Sequence, residues 1–314
     1  MLSKAELSIT RARARGFALN AGALYNVTML RMLLTALLSV HWPGFAAPQT
    51  PVETAGPASK AVRVSQPLPF KNGEVLTYEV NFSKLIFSGT IGELKLWVAT
   101  ENAKDKGSSA PEMIELHAEA VSKGFFSKLF GVKVVDRFKS VVDPTDFGVQ
   151  TFTKNIEEGK VRREQKSEID RTAGRVTYTD RDLTNPGARP KVKEAASPPW
   201  IQDLLSAIYY LRLTEFKEGN VIPIPISDGG AVYKVELVIL GKREEITVDA
   251  GKFKTVLVEA KIFDGRYIRR SGEMKLWVSD DPRRIPVRAK VKTSGVTITI
   301  GLKRYQEQEQ RPRP

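Results

Sequence analysis

Between residues 70 and 305, apolar and polar positions alternate with a period of two. Leu76, Tyr78, Val80 and Phe82 point one way, and Thr77, Glu79 and Asn81 the other. The same spacing returns at Leu94-Leu96-Val98, Ile114-Leu116-Ala118-Ala120, Tyr233-Val235-Leu237-Ile239, Met274-Leu276-Val278, Ile285-Val287-Ala289-Val291 and Val296-Ile298-Ile300. Successive strand residues face opposite sides of a sheet, so each run predicts a strand with one buried and one wet face. Turn signals fall between the runs: Pro144-Thr-Asp146, Glu158-Gly159, Thr172-Ala-Gly174, Asp228-Gly-Gly230, Ala250-Gly251, Asp264-Gly265 and Asp281-Pro282. Strands joined by such short connections pair with their sequence neighbours as a meander.

One segment changes period. Ile201, Leu204, Leu205, Ile208 and Leu211 recur at helical spacing after Ser197-Pro-Pro-Trp200. Ser197 can cap, a proline suits the first turn, and Asp203 and Arg212 suit the two ends of the helix dipole. This predicts an amphipathic helix over 198–212, about three to four turns long. A sheet with one apolar face needs a cover, and this helix can supply it. The expected fold is mainly β, a curved antiparallel meander sheet or half-open barrel with one covering amphipathic helix. Tyr209 and Tyr210 are expected to pack rather than to meet a ligand. A short echo, Gly92-Glu-Leu-Lys-Leu-Trp-Val98 and Gly272-Glu-Met-Lys-Leu-Trp-Val278, puts Trp97 and Trp277 on the polar face.

The first seventy residues lack strand or core patterning. From Met29 the chain reads as a basic start, an apolar run of about a dozen residues and a small-x-small site at Gly44-Phe45-Ala46, the layout of a secretory signal peptide. The run is too short to span a bilayer, which takes ~20 residues. The expected organisation is a signal peptide over 1–46, with 1–28 readable as an upstream mis-start, and a Pro-rich linker over 47–69. A single β-rich domain follows over 70–305, then a polar tail over 306–314. The mature chain is expected to be periplasmic or secreted after cleavage near Ala46, with no transmembrane span.

Charge gains meaning from that compartment. The 314 residues carry 49 Lys+Arg against 36 Asp+Glu, a formal +13. Cleavage removes Lys4, Arg11, Arg13, Arg15 and Arg31 against Glu6 and leaves a basic body. Outside the cytoplasm the plentiful polyanions are lipid head groups and wall polymers, so nucleic acid is not the expected partner. An envelope lipid, polyanion or envelope protein is.

Several motifs occur in a fixed order. They are Gly73-Glu74-Val-Leu-Thr-Tyr78, Asp136-Arg-Phe-Lys-Ser140, Asp203 through Tyr209 to Arg212, Gly241-Lys-Arg-Glu244 with Ala250-Gly251-Lys-Phe253, and Leu276-Trp-Val-Ser-Asp-Asp281-Pro-Arg-Arg284-Ile-Pro286-Val. In this order they resemble the exported bacterial family called domain of unknown function 3108, over about residues 70–304. The resemblance implies a secreted or periplasmic β-rich domain and carries no activity; Asp203, Tyr209, Arg212, Asp281 and Arg284 are its motif residues. In overall design the chain is also similar to half-barrel lipoprotein carriers of the envelope.

Chemistry-bearing residues are sparse. Cysteine is absent and histidine numbers 2, which removes disulfides, thiolate catalysis and His- or Cys-based metal sites. His117 lies on a polar strand face between Glu115 and Glu119, no nucleophile elbow is present, and neighbouring Glu244 and Glu245 face opposite ways. Asp281 suits the start of a turn with Pro282 next. No cofactor or metal is expected. The candidate contacts for a ligand or membrane are Phe125, Phe126 and Phe130, set among Lys123 and Lys128, together with Trp97 and Trp277. The expected role is a non-enzymatic exported envelope protein that binds an apolar or anionic envelope ligand or a partner protein. The alternative is a wall-polymer hydrolase using carboxylates or a Ser–Lys pair.

Overall fold

The structure, a computed structural model, describes residues 67–100, 113–123, 132–263, 265, 267–268 and 271–307. The expected signal peptide and most of the expected linker lie outside these residues. The elements are β1 (Val75–Lys84), β2 (Phe87–Thr100), β3 (Ile114–Ser122), β4 (Val135–Val142), β5 (Val149–Glu158), β6 (Val161–Asp170), β7 (Arg175–Asp182), β8 (Lys191–Ala196), α1 (Leu204–Leu213), β9 (Val221–Asp228), β10 (Ala231–Val248), β11 (Gly251–Ala260), β12 (Gly272–Ser279), β13 (Pro286–Thr293) and β14 (Val296–Gln306).

All fourteen strands join one antiparallel sheet in the order β8-β7-β6-β5-β4-β3-β2-β1-β14-β13-β12-β11-β10-β9. Sequence neighbours pair throughout, and the β1–β14 ladder joins the two ends of the meander in the middle of the sheet. β8 and β9 remain as edges, so the sheet is a half-open barrel, as the alternation predicts. On β3 the inner residues Ile114, Leu116, Ala118 and Ala120 are buried and the residues between them only partly so. This is the period-two pattern converted into a core. Pairing of Gln202 with Ile226 covers part of the free side of β9, through Gln202 N to Pro225 O (2.9 Å) and Ser227 N to Gln202 O (2.8 Å).

The helix is shorter than the spacing predicts. α1 begins at Leu204, not near Pro198, and its cap is Asp203 rather than Ser197. The Asp203 carboxylate accepts from Leu205 N (2.7 Å) and Ser206 N (2.9 Å), while the Ser206 hydroxyl accepts from Asp203 N (2.9 Å). This reciprocal box satisfies donors that the first turn leaves unpaired. Upstream, the two prolines keep the chain extended and the backbone of Gln202 is taken by β9, so no turn can form there. Ile201 therefore reaches the core from extended chain. α1 packs against β3, β4 and β9 inside the curve of the sheet.

A buried clamp fixes its other end. The Arg212 guanidinium, fully buried, donates to both carboxylate oxygens of Glu74 (2.5 and 2.9 Å), to Pro69 O (3.0 Å) and to Arg283 O (3.1 Å). It also lies over the rings of Phe70 (5.1 Å) and Tyr209 (5.6 Å). Arg284, at φ 47°, donates to Arg212 O (3.3 Å) and Thr214 O, and Tyr78 donates to Pro286 O (2.9 Å). Helix, first strand and the β12–β13 turn are thereby tied at one point.

Candidate functional site

Two-residue hairpin turns favour glycine or asparagine, because at least one turn residue takes a positive φ. The β1–β2 turn uses Leu85 and Ile86 instead, with Leu85 at φ 53°. Both are 91% exposed, and Phe87 beside them is 65% exposed. An apolar triplet at a strained turn violates the local rules on two counts, and such violations concentrate at functional sites.

Charge is distributed to match. Connections between consecutive strands alternate between the two ends of the sheet. At the end holding Leu85 and Ile86, the described connection residues include Lys123, Lys133, Lys160, Arg189 and Lys261 and no acid. At the opposite end stand Asp143, Asp146, Asp249, Asp280 and Asp281 beside Arg171, Arg283 and Arg284. Among the described connection residues one end is therefore basic with an apolar tip, with Lys123 and Lys261 paired to Glu93 and Glu259 and Asp182 ending β7 beside it, and the other end is mixed and rich in acids. The segment carrying Phe125, Phe126 and Phe130 lies outside the described residues.

The concave interior has its own asymmetry. From β4 to β7 the buried inward positions include Ser140, Lys154, Ser167 and Asp180, where β1–β3 and β10–β14 offer mainly Val, Leu and Ile. Lys154 contacts Asp228, and Tyr267 donates to the other Asp228 oxygen (3.2 Å). Ser140 donates to Asp203 Oδ1 (2.9 Å); Asp203 Oδ2, Tyr178 OH and Ser227 Oγ are buried without a hydrogen-bond partner among the described residues. Burial pushes the Asp203 carboxyl up to about 6 against the hydrogen bonds that stabilise its charge. Burial, with the charge of Glu158 adding to it, pushes Asp136 up to about 7. Ser140 is bonded to Asp203 and Lys154 to Asp228, not to each other. Among the described residues no group of three His, Cys, Asp or Glu is placed to hold a metal ion, and no helix is long and apolar enough to cross a membrane.

The remaining expected residues scatter. Trp97 is on the outer face, stacked on His117 at 5.0 Å with Lys95 over its ring, and Trp277 is half-buried on the outer face of β12. They are not brought together. Tyr209 and Tyr210 pack on Phe70 (5.1 Å) and Trp200 (4.8 Å). Asp281 accepts from Arg283 N (2.9 Å) inside its turn. Sequence reasoning missed Leu85, Ile86 and Phe87, although an unbroken apolar run at a strand end without a turn former was visible. It also missed Lys154 and Asp228, which meet only through tertiary structure.

The family described as "Protein of unknown function (DUF3108)" matches residues 77–302. The chain belongs to this family. In this DUF3108 chain the ordered motifs are an architectural signature: Glu74, Tyr78, Arg212, Arg283 and Pro286 meet in the clamp, and Ser140 meets Asp203. Nothing matches among curated proteins. A β-barrel-like protein of another family of unknown function, DUF1849, from Brucella abortus shares the fold, with TM-score 0.51 and 10% identity over 76% of this chain and 99% of that one. A Bacteroides fragilis protein described as exported, with a YmcC-like fold, aligns at TM-score 0.29 and 11% identity over 76% of this chain and 98% of its own. A Parabacteroides distasonis protein described as a lipoprotein aligns at TM-score 0.29 and 13% identity, over 76% and 97%.

Proposed function

We propose that this chain is a non-enzymatic protein of the cell envelope that, after export, docks on an anionic lipid surface through its β1–β2 turn. The observation that carries this reading is the 91% exposure of Leu85 and Ile86 at the hairpin tip. Burying an exposed Leu, Ile or Phe side chain is worth about 1.5–3 kcal/mol each, which suits reversible insertion into a headgroup layer. Basic side chains held near an anionic surface add roughly 1 kcal/mol apiece, screened by salt. The basic rim around the tip supplies them, and Lys84 immediately precedes it.

Co-sedimentation with vesicles tests the proposal. The protein should bind phosphatidylglycerol vesicles at low salt, bind phosphatidylcholine vesicles weakly, and release as salt rises. The double substitution Leu85→Ser with Ile86→Ser should abolish most binding while leaving the circular dichroism unchanged. Binding that ignores this double change, or no binding to anionic vesicles at any salt, would sink it.

A further inference from the structure

The polar interior contains a pair of charges that joins strands far apart in the sheet. Lys154 of β5 and Asp228, the last residue of β9, touch each other with side chains only 3% and 4% exposed. β9 is one edge of the sheet and β5 is fourth from the other edge, so no ladder connects them. Burying such a pair sacrifices the solvation of both ions. Aromatic rings stand around it: Phe152 lies 5.3 Å from the ammonium, Tyr267 donates to Asp228, and Tyr233 packs on Tyr267 at 4.8 Å.

A third ionisable group is linked to Lys154 through Ser140. Ser140 pairs across the sheet with Phe152, so Lys154, two residues further on the same face, is its diagonal neighbour. Ser140 holds Asp203 by the 2.9 Å hydrogen bond, and the pairing of Gln202 with β9 seats Asp203 beside the strand that ends in Asp228. Asp203 Oδ2 is buried with no hydrogen-bond partner among the described residues, and the charge of Lys154 acts on this carboxyl.

We infer that Lys154 and Asp228 condense to an intramolecular isopeptide bond, with Asp203 as the proton-transfer group. The step needs no co-reactant. Proton transfer within the ion pair gives an amine and a carboxylic acid, the two groups between which an amide forms. The Lys154 Nζ lone pair attacks Asp228 Cγ, forming the C–N bond. Asp203 takes a proton from that nitrogen and delivers it to the departing hydroxyl, whose C–O bond breaks as water leaves. An ammonium and a carboxylate become one neutral amide and one water, and nothing is oxidised or reduced. The elevated carboxyl of Asp203, at about 6, can exchange protons near neutral pH. In a chain without cysteine, this bond ties β9 to β5 across a separation of 74 residues, the restraint that a disulfide supplies in other exported proteins.

Intact-mass spectrometry of the purified full chain decides the matter. The wild-type protein should be about 18 Da lighter than the mass set by its observed first residue, the loss of one water. Proteolysis should release one branched peptide joining Lys154 to Asp228. Lys154→Arg, which keeps the charge, and Asp203→Asn, which keeps a capping side chain, should both restore full mass with unchanged circular dichroism. A folded wild-type protein at full mass leaves an ion pair only and overturns the inference, as does a deficit that persists in Lys154→Arg. A deficit that persists in Asp203→Asn overturns the role of Asp203.

Discussion

The inner walls of the two halves of the sheet are made of different materials. β1–β3 and β10–β14 line the interior with Leu, Ile and Val, whereas β4–β7 set Ser140, Lys154, Ser167 and Asp180 among their buried positions. Both halves follow the same meander and the same pleat. An apolar wall gains stability from area removed from water and tolerates small shifts of its side chains. A polar wall holds only if each group finds a partner in fixed geometry, because an unpaired buried group costs more than a made hydrogen bond returns. The halves should therefore fail in different ways when altered.

The largest effect is expected at the seam between them. Arg212→Ala strands the buried Glu74 carboxylate and should cost about 3–5 kcal/mol in denaturant unfolding. Next comes the contrast within the sheet. Leu116→Ala in the apolar wall should cost about 2–5 kcal/mol through lost transfer energy and a cavity, and Ser167→Ala in the polar wall about 1 kcal/mol. Equal losses at these two sites would erase the distinction.

A pH series sharpens it further. Asp136 titrates near 7 in the folded protein and near 4 unfolded, so it favours folding when protonated. Its contribution is complete below about pH 4 and disappears as pH rises through about 7, because the unfolded chain releases the proton first. Asp136→Asn, which can still accept from Glu157 N, removes that slope. The variant should match the wild type near pH 4 and exceed it by on the order of 2–3 kcal/mol at pH 8, read from melts across the range. The smallest change belongs to the exposed turn. Leu85→Gly relieves a positive φ and should alter stability by less than about 1 kcal/mol, in the stabilising direction, while weakening vesicle binding.

The same contrast explains what could be read from the sequence. Ile114-Leu116-Ala118-Ala120 announces a strand because its buried side is apolar. In Lys154, Ser167 and Asp180 the buried side carries the residue types usually found in water, so β5–β7 left turn signals without an alternation between them. The helix was legible as an element and misplaced at its start, since a spacing rule counts Ile201 without knowing that Gln202 is committed to β9. Glu74 and Arg212 stood within ordered motifs, but their pairing across 138 residues is a fact of tertiary structure. Of the candidate site, the basic excess was visible from composition. Its collection at one rim required knowing which connections share an end.

The two free edges bear on how copies of this molecule meet. An open fourteen-stranded sheet offers unsatisfied backbone groups along both borders, a template on which a second molecule could add its own strand. β8 is six residues long, almost wholly exposed, and carries Lys191, Lys193 and Glu194. β9 carries Pro223 and Pro225, which share the orientation of Ser227, whose N–H points away from β10 toward Gln202. The missing N–H groups therefore fall on the free side. Short length and charge on one border, and prolines with a covering segment on the other, oppose edge-to-edge polymerisation. Monodispersity at high concentration thus depends on a few border residues rather than on the core.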